Sequence, residues 1–281
     1  MILTWPIALA VLFAALLHAS WNALVKSGTD KAMDTAVMNL IGGAMAVPVV
    51  LVAGLPSAAA WPWLLGSAAI HVVYYALLTA AYRHGELALT YPLMRGVAPL
   101  LVALVSVAAF AEPLSTAGWT GVLGVCAGVL VLGLSRHGLE SGRAVALALA
   151  NAVVIAGYTV VDAHGVRASG TAAGYVATLF VLNAVPFGAV VLARRGWRPL
   201  AEHAVRRGPL TALGAAASLG SYGIALWAMT RAPVASVAAL RETSVLFAAL
   251  IGAWQLQERF TPRRALGTAA IVAGVAALRL G

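Results

Sequence analysis

Long apolar segments separated by short polar turns are the feature of this sequence that most limits its possible folds. Hydrophobic residues make up 62% of the 281 residues and charged residues only 10%, whereas about 25% of a soluble domain is charged. So few polar side chains cannot cover a water-soluble globule of this size. A bilayer core about 30 Å thick needs about 20 apolar residues for each helix that crosses it. The sequence therefore predicts an all-α, polytopic membrane protein.

Turn residues and charged residues divide the chain into ten predicted transmembrane helices, called spans here. Breaks of this kind are Ser27–Asp30, Gly54–Ser57 and Arg83–Glu86. The first span lacks the basic start of a signal peptide, and we expect it to be retained. The predicted limits of the spans are 4–26, 32–53, 61–83, 87–110, 116–135, 143–164, 172–193, 209–230, 234–256 and 263–280.

Lysine and arginine residues are concentrated in the loops on one predicted membrane face. Loops after odd-numbered spans contain 13 of the 18 basic residues, and the opposite face contains three. The remaining two, Arg95 and Arg241, lie inside spans. The positive-inside rule then predicts a bacterial inner-membrane protein with both termini in the periplasm. This distribution explains the net charge of +9 without a nucleic-acid partner.

An internal repeat divides the sequence into two predicted halves, residues 1–137 and 138–281. When the sequence is aligned with itself at an offset of 146 residues, one arginine, one glutamate and two glycines align with residues of the same type. The pairs are Arg95 and Arg241, Glu112 and Glu258, Gly121 and Gly267, and Gly128 and Gly274. Because each half has five spans, the second half enters the membrane from the opposite face. Inverted repeats are typical of secondary transporters, although a duplicated scaffold without transport is the alternative.

The two arginines inside spans are the strongest functional candidates. Arg95 and Arg241 lie roughly 10–14 Å from the ends of their spans at 1.5 Å per residue, which is near the midplane. A charge at this depth costs at least about 2.5–3.5 kcal/mol, so neither side chain is expected to face lipid. Glu242 can pair with Arg95 across the twofold axis and leave one arginine for a carboxylate, phosphate or phosphonate. The alternative is a structural arginine–glutamate latch between the halves.

Aromatic and polar residues at helical spacing predict the walls of a central cavity. His18, Trp21 and Asn22 follow this spacing in the first span, and Tyr91 lies one turn before Arg95. Aromatic residues in the middle of other spans could either line the cavity or pack between helices, and the sequence fits both roles equally well. These residues are Tyr75, Tyr158 and Tyr222.

Several other conspicuous residues have structural explanations. Glu112 and Glu258 each precede a span, and we expect each to cap the helix that follows. Asp162 lies near the outer end of the sixth span, where solvation is expected. Gly124 and Gly128 predict close packing that involves the fifth span.

Motifs for catalysis are absent from the sequence, including a Walker loop, a zinc-protease motif and clustered metal ligands. The sequence therefore predicts no enzymatic activity, no cofactor and no metal site. Two other classes of protein stay open as alternatives. One is an intramembrane enzyme that acts on a lipid-linked substrate, and the other is a membrane scaffold or sensor that transports nothing.

The segment His18–Lys26 resembles the first-helix motif of the EamA family, within the drug/metabolite transporter (DMT) superfamily. Arg241–Ser244 followed by Glu258 is similar to the corresponding second-half pattern of that family, as is Tyr158–Thr159. The resemblance implies ten helices in two inverted repeats. It also implies a cavity lined by spans 1, 3, 4, 6, 8 and 9, with spans 5 and 10 as supports. Family members export amino acids and other metabolites.

Residues and resemblance together predict a secondary active transporter, an exporter, of a small anionic or zwitterionic metabolite. Amino acids, organic acids and organophosphonates are the substrate classes considered. The expected partners are the substrate, membrane lipid, and a coupling proton or a counter-substrate, with a monomer and a homodimer both open. The predicted substrate-binding residues are His18, Trp21, Asn22, Tyr75, Tyr91, Arg95, Tyr158, Tyr222, Arg241 and Glu242.

Overall fold

The computed structural model describes residues 1–28, 30–84, 87–133, 142–256 and 261–280. Within these ranges the chain is helical and contains no strand. The helices are α1 (Trp5–Lys26), α2 (Lys31–Ala53), α3 (Trp61–His84), α4 (Leu87–Phe110), α5 (Thr116–Gly133), α6 (Gly142–Ala168), α7 (Ala172–Arg195), α8 (Trp197–Met229), α9 (Val234–Arg241), α10 (Ser244–Leu256) and α11 (Pro262–Leu280).

Eight segments of the described chain are long and apolar enough to cross a membrane. One of them, Val234–Ile251, combines α9 with part of α10. The two other predicted spans correspond to α5, whose apolar stretch Thr116–Leu132 is shorter, and to α11, which has two arginines in its first turn. The prediction of an all-α, polytopic membrane protein is therefore confirmed.

The eighth predicted span differs from the structure at its beginning. The predicted limit was residue 209, but α8 begins at Trp197, and Pro209 lies inside the helix. The added turns contain Arg198, Arg206 and Arg207, which interrupt the apolar pattern that defined the predicted span. The prediction was wrong because this segment is amphipathic, with Leu200 buried on one side.

The ninth predicted span is broken in the structure. The helix stops at Arg241, and α10 starts at Ser244 after a tight turn. In this turn the N–H groups of Glu242 and Thr243 donate to carbonyl oxygens three residues earlier, at 3.0 and 3.2 Å. The Thr243 hydroxyl donates to the Leu240 carbonyl at 2.8 Å, which competes with regular α-helical bonding. A continuous helix over 234–256 was therefore a wrong prediction at its centre.

The packing of the helices keeps its pattern when the predicted halves are exchanged. The exchange replaces α1 by α6, α2 by α7, α3 by α8, α4 by α9 with α10, and α5 by α11. Accordingly α1 packs on α8 and α3 packs on α6, whereas α2 packs on α7 and α5 on α11. In the same way α4 packs on α6, and α1 packs on α9 and α10. The predicted boundary at residues 137 and 138 lies outside the described residues.

Helices α5 and α11 meet along a seam of glycines. A Cβ atom added at Gly128 would lie 2.6 Å from the Ile271 side chain and 2.7 Å from the Gly267 carbonyl oxygen. A Cβ atom at Gly124 would lie 3.1 Å from the Gly274 Cα atom. Only residues without side chains permit this approach of two backbones, so the predicted close packing at Gly124 and Gly128 is confirmed.

Candidate functional site

The break between α9 and α10 lies opposite α4 and brings a charged pair together in the interior. Arg95 and Glu242 are 6% and 5% exposed, and Arg95 Nε lies 2.7 Å from Glu242 Oε2. One terminal nitrogen of Arg95 also donates to the Ser244 hydroxyl at 3.1 Å. The Tyr91 ring lies one turn below the guanidinium, with its centroid 5.9 Å away. The predicted pairing of Arg95 with Glu242 is confirmed.

Arg241 has a different environment, although it occupies the equivalent position in the repeat. It is 8% exposed, and its guanidinium carbon lies 5.3 Å from the centroid of the Tyr222 ring. Among the described residues, no acidic side chain is within ion-pair distance of Arg241. Its charge is therefore balanced less directly than that of Arg95.

Asp162 is fully buried and is a member of a hydrogen-bonded cluster. Its Oδ1 accepts a hydrogen bond from the Tyr175 hydroxyl at 2.9 Å, and its Oδ2 accepts a short hydrogen bond from the Tyr222 hydroxyl. Ser67 and His71 of α3 face the same carboxylate. The expectation that Asp162 is solvated was wrong, because α6 continues to Ala168 and α7 and α8 cover this turn.

Aromatic rings form one wall beside the charged residues. His71 stacks on Tyr158 with ring centroids 4.4 Å apart, and Tyr74 meets Tyr158 edge-on at 5.8 Å. Tyr75 packs against Tyr74 with ring centroids 5.1 Å apart. Tyr158 is buried and also faces a narrow cavity between α4, α6 and α9.

This cavity unites several of the predicted site residues. Its charged lining consists of Arg95, Arg241 and Glu242, and its remaining lining is Ala98, Pro99, Val102, Ile155, Tyr158, Thr159 and Ala238. Tyr91 and Tyr222 lie against the two arginines but outside this lining.

The predicted residues on α1 lie at the edge of the charged centre. His18 is close enough to interact electrostatically with Arg95 and Arg241. The His18 and Trp21 rings meet edge-to-face at 5.0 Å, and the Asn22 side chain donates to the His18 carbonyl at 2.8 Å. Within the described residues the buried Trp21 Nε1 has no hydrogen-bond acceptor. Trp21 and Asn22 do not line the cavity.

Some residues of the interior were missed by the sequence analysis. Tyr175 donates a hydrogen bond to Asp162, and Ser67 faces the same carboxylate. Neither residue lies at a helical spacing from Arg95 or Arg241. Asn151 was not missed, because its spacing places it on the same helical face as Tyr158 and Asp162; it is fully buried and donates to the Met94 sulfur at 3.1 Å. The polarity of these positions inside apolar spans was the available signal, but their partners belong to other helices.

An ion pair joins α6 to the loops on the membrane face where α6 ends. Arg167 lies 2.8 Å from Glu112, and the Arg167 Nε donates to the Met229 carbonyl at 2.8 Å. The second Glu112 oxygen accepts from the N–H of Val234, the first residue of α9, at 3.0 Å. Glu112 therefore caps α9, and the expectation that it caps the next helix was wrong. Its repeat partner, Glu258, lies outside the described residues.

A second polar cluster lies on the opposite membrane face. Asp34 of α2 is buried, and its Oδ1 lies 2.9 Å from both His203 Nε2 and Arg207 Nε. Both partners belong to the amphipathic beginning of α8. Nearby, the more exposed Asp30 pairs with Arg195 at 3.1 Å.

Fold and site together define a multi-pass membrane protein with buried charges around a narrow central cavity. The model of the EamA-like transporter family matches residues 142–280. This half of the chain belongs to that family, which is one of DMT-type transporters.

Comparison with solved structures supports the fold. A crystal structure of a protein with 21% sequence identity has a TM-score of 0.74, covering 98% of this chain and 95% of the other. At this identity the similarity shows the fold alone. A comparison with curated protein sequences found no match.

Proposed function

We propose that this chain is a secondary active exporter of a small anionic or zwitterionic metabolite. The proposal rests on the buried position of Arg241, which has no acidic partner among the described residues. Arg95 and Arg241 line the same narrow cavity, and Glu242 at the α9–α10 break lines it with them. Because Glu242 pairs with Arg95 at 2.7 Å, Arg241 is the cation available to a substrate anion. A carboxylate or a phosphonate would form charge-assisted hydrogen bonds with its guanidinium group.

The helix break strengthens the electrostatic argument. α9 ends at Arg241, and α10 begins at Ser244 in the interior. Broken helices at the midplane are typical of transporter sites, where the positive end of a half-helix faces the anionic group of the substrate. The beginning of α10 therefore adds to the positive potential that Arg241 supplies.

Amino acids, organic acids and organophosphonates fit this arrangement. A carboxylate or phosphonate would bind Arg241, and Glu242 would accept a hydrogen bond from an ammonium group of a zwitterion. The surrounding rings would exclude water and shape the cavity. The proposed substrate-binding residues are His18, Trp21, Asn22, Tyr75, Tyr91, Arg95, Tyr158, Tyr222, Arg241 and Glu242.

Transport would follow from alternating access between two inverted halves, residues 1–137 and 138–281. Contacts at the two membrane faces would alternately close and open. On one face these are Glu112 with Arg167, and on the other they are Asp34 with His203 and Arg207. Each cluster connects helices from both proposed halves, so a rigid-body movement of the halves would break one cluster at a time.

The basic loops support an orientation in a bacterial inner membrane with both termini in the periplasm. A reporter that is active only in the periplasm, fused after the last residue, is expected to be active. A reporter that is active only in the cytoplasm serves as the matched control in the same position. Activity of the cytoplasmic reporter alone would contradict this orientation.

Substrate identity can be tested with the purified protein. We expect a member of a panel of amino acids, organic acids and organophosphonates to raise the melting temperature. A ligand at about 100 times its Kd adds about 2.7 kcal/mol to the stability. The stabilising compound should then cross the membrane of proteoliposomes that contain the protein.

The matched variants are Arg241→Gln and Arg241→Lys. The first removes the charge and should abolish both the thermal shift and the flux, whereas the second keeps the charge and should retain part of each. A wild-type protein that binds a compound without moving it would indicate a sensor. A folded Arg241→Gln variant with full flux would remove the central observation behind this proposal.

A further inference from the structure

Asp162 is a second buried carboxylate beside the proposed anion site, and tyrosine hydroxyl groups donate to both of its oxygens. Tyr175 of α7 and Tyr222 of α8 donate to its two oxygens. From α3 it faces Ser67 and His71. Within the described residues, no arginine or lysine lies within ion-pair distance of this carboxylate.

The other ionisable groups in this region come from α1, α3, α4, α6 and the α9–α10 break. They are His18 on α1, Tyr74 on α3, Arg95 with Tyr91 on α4, Tyr158 on α6 itself, and Arg241 with Glu242 at the break. In the described interior around the cavity, the formal charges of two arginines and two carboxylates cancel when all four groups are ionised. The Asp34 cluster lies apart from this region, on the membrane face where α8 begins.

An anion bound at Arg241 would disturb this balance by adding one negative charge. An uncompensated charge in a low-dielectric interior is costly, and a proton that enters with the anion removes the excess. Besides the imidazole of His71, which faces Asp162, two carboxylates could accept this proton. Glu242 already has Arg95 at 2.7 Å, which favours its charged form. Asp162 accepts hydrogen bonds from hydroxyl groups and has no such ion pair. Protonation of Asp162 therefore breaks no ion pair, whereas protonation of Glu242 would break one.

Tyr222 provides a direct connection between the two events. Its hydroxyl donates to Asp162, and its ring lies against the Arg241 guanidinium at 5.3 Å. A proton on Asp162 removes the negative charge that this hydroxyl bonds to. The ring and hydroxyl of Tyr222 can then adjust to an anion at Arg241.

We infer that Asp162 is the proton-binding site of this protein, and that it takes up one proton from water when an anion binds at Arg241. The inference rests on the proposed function, because it requires that anion. The carboxylate of Asp162 and the proton form a neutral carboxyl group, and no other bond changes. The loaded site is then electroneutral for a singly charged substrate.

The charge state of Asp162 without any ligand can be measured first. Infrared spectra of the reconstituted protein at neutral pH are compared for the wild type and Asp162→Asn. We expect the variant to lose a carboxylate band. Loss of a protonated carboxyl band would mean that the proton is already bound, and this would overturn the inference whether or not an anion site exists.

The coupling is tested with methanesulfonate, whose single charge does not change between mildly acidic and neutral pH. Its binding and the accompanying pH change are measured together in weakly buffered solution. The wild type should take up about one proton for each bound anion, and a protonated carboxyl band should appear. Asp162→Asn should bind methanesulfonate without proton uptake, whereas the control Arg195→Gln, at the exposed pair with Asp30, should retain proton uptake.

The outcomes separate this inference from the proposed function. Binding without proton uptake in the wild type, or uptake that persists in Asp162→Asn, overturns the role of Asp162 and leaves the anion site standing. Absence of methanesulfonate binding counts against the anion site at Arg241, and the ligand-free spectra still decide the state of Asp162.

A second variant protects the test against misfolding of Asp162→Asn. Tyr175→Phe removes one hydroxyl donor from the charged carboxylate and leaves Tyr222 in place. Without ligand, the protonated carboxyl band should then appear at higher pH than in the wild type. An unchanged pH dependence would show that another group binds the proton.

Discussion

Arg95 and Arg241 occupy equivalent positions in the sequence repeat, yet their surroundings differ. Arg95 has an ion pair with Glu242 and a hydrogen bond to Ser244, both across the interface between α4 and the α9–α10 break. Arg241 lies against the face of Tyr222 and has no acid within ion-pair distance among the described residues. The comparison teaches that one arginine of a symmetric pair can stabilise the site while the other stays available to a ligand.

The largest expected effect is a loss of stability when the charge of Arg95 is removed. Arg95→Gln leaves the Glu242 carboxylate buried without its cation, and we expect a loss of about 3–5 kcal/mol in the free energy of unfolding. Chemical or thermal unfolding in detergent measures it. The double variant Arg95→Gln with Glu242→Gln should recover most of the loss, since it removes both charges. Equal stability of the single and double variants would contradict the ion pair.

The Arg241 side should respond in binding rather than in stability. Losing a charge-assisted hydrogen bond costs about 1.5–3 kcal/mol, so Arg241→Gln should weaken the binding of an anionic substrate by roughly tenfold to a hundredfold. Its unfolding should change less than that of Arg95→Gln, because no buried acid loses its partner. Isothermal titration and unfolding curves on the two variants measure this contrast. A reversed pattern would mean that Arg241, not Arg95, holds the fold together.

The seam between α5 and α11 provides a reference region outside the charged centre. Gly128→Leu forces a side chain against Ile271 and the Gly267 carbonyl, and we expect a destabilisation of about 1–3 kcal/mol. The substrate affinity of the protein that still folds should match the wild type, since this seam contributes no residue to the described cavity. A change in affinity with unchanged stability would assign the seam to the site.

The smallest effect is expected at the exposed pair of Asp30 and Arg195. Exposed ion pairs are worth about 0–1 kcal/mol, because water and salt screen them. Arg195→Gln should therefore leave both unfolding and substrate affinity nearly unchanged. A large loss of transport in this variant would give the pair a role in closing its membrane face.

Part of the site was predictable because depth in a membrane is a local property. Arg95, Arg241 and Glu242 stood out as charges inside apolar spans, and the pairing of Arg95 with Glu242 followed from their similar depth. The break at Glu242 and Thr243 was not predicted, because the mainly apolar runs 234–240 and 245–251 together have the length of one span. Asp162 was placed in solvent, because the sequence does not show that α7 and α8 cover its turn.

By itself, the sequence determined the class of fold and the depth of the charges. Apolar runs and the rise of a helix are properties of neighbouring residues, so the limits of most helices followed from them. Only the tertiary structure decided that Arg241 lies against Tyr222 and which two tyrosines bond Asp162. These contacts join helices that are far apart in the chain, and they depend on how the helices rotate and pack against one another.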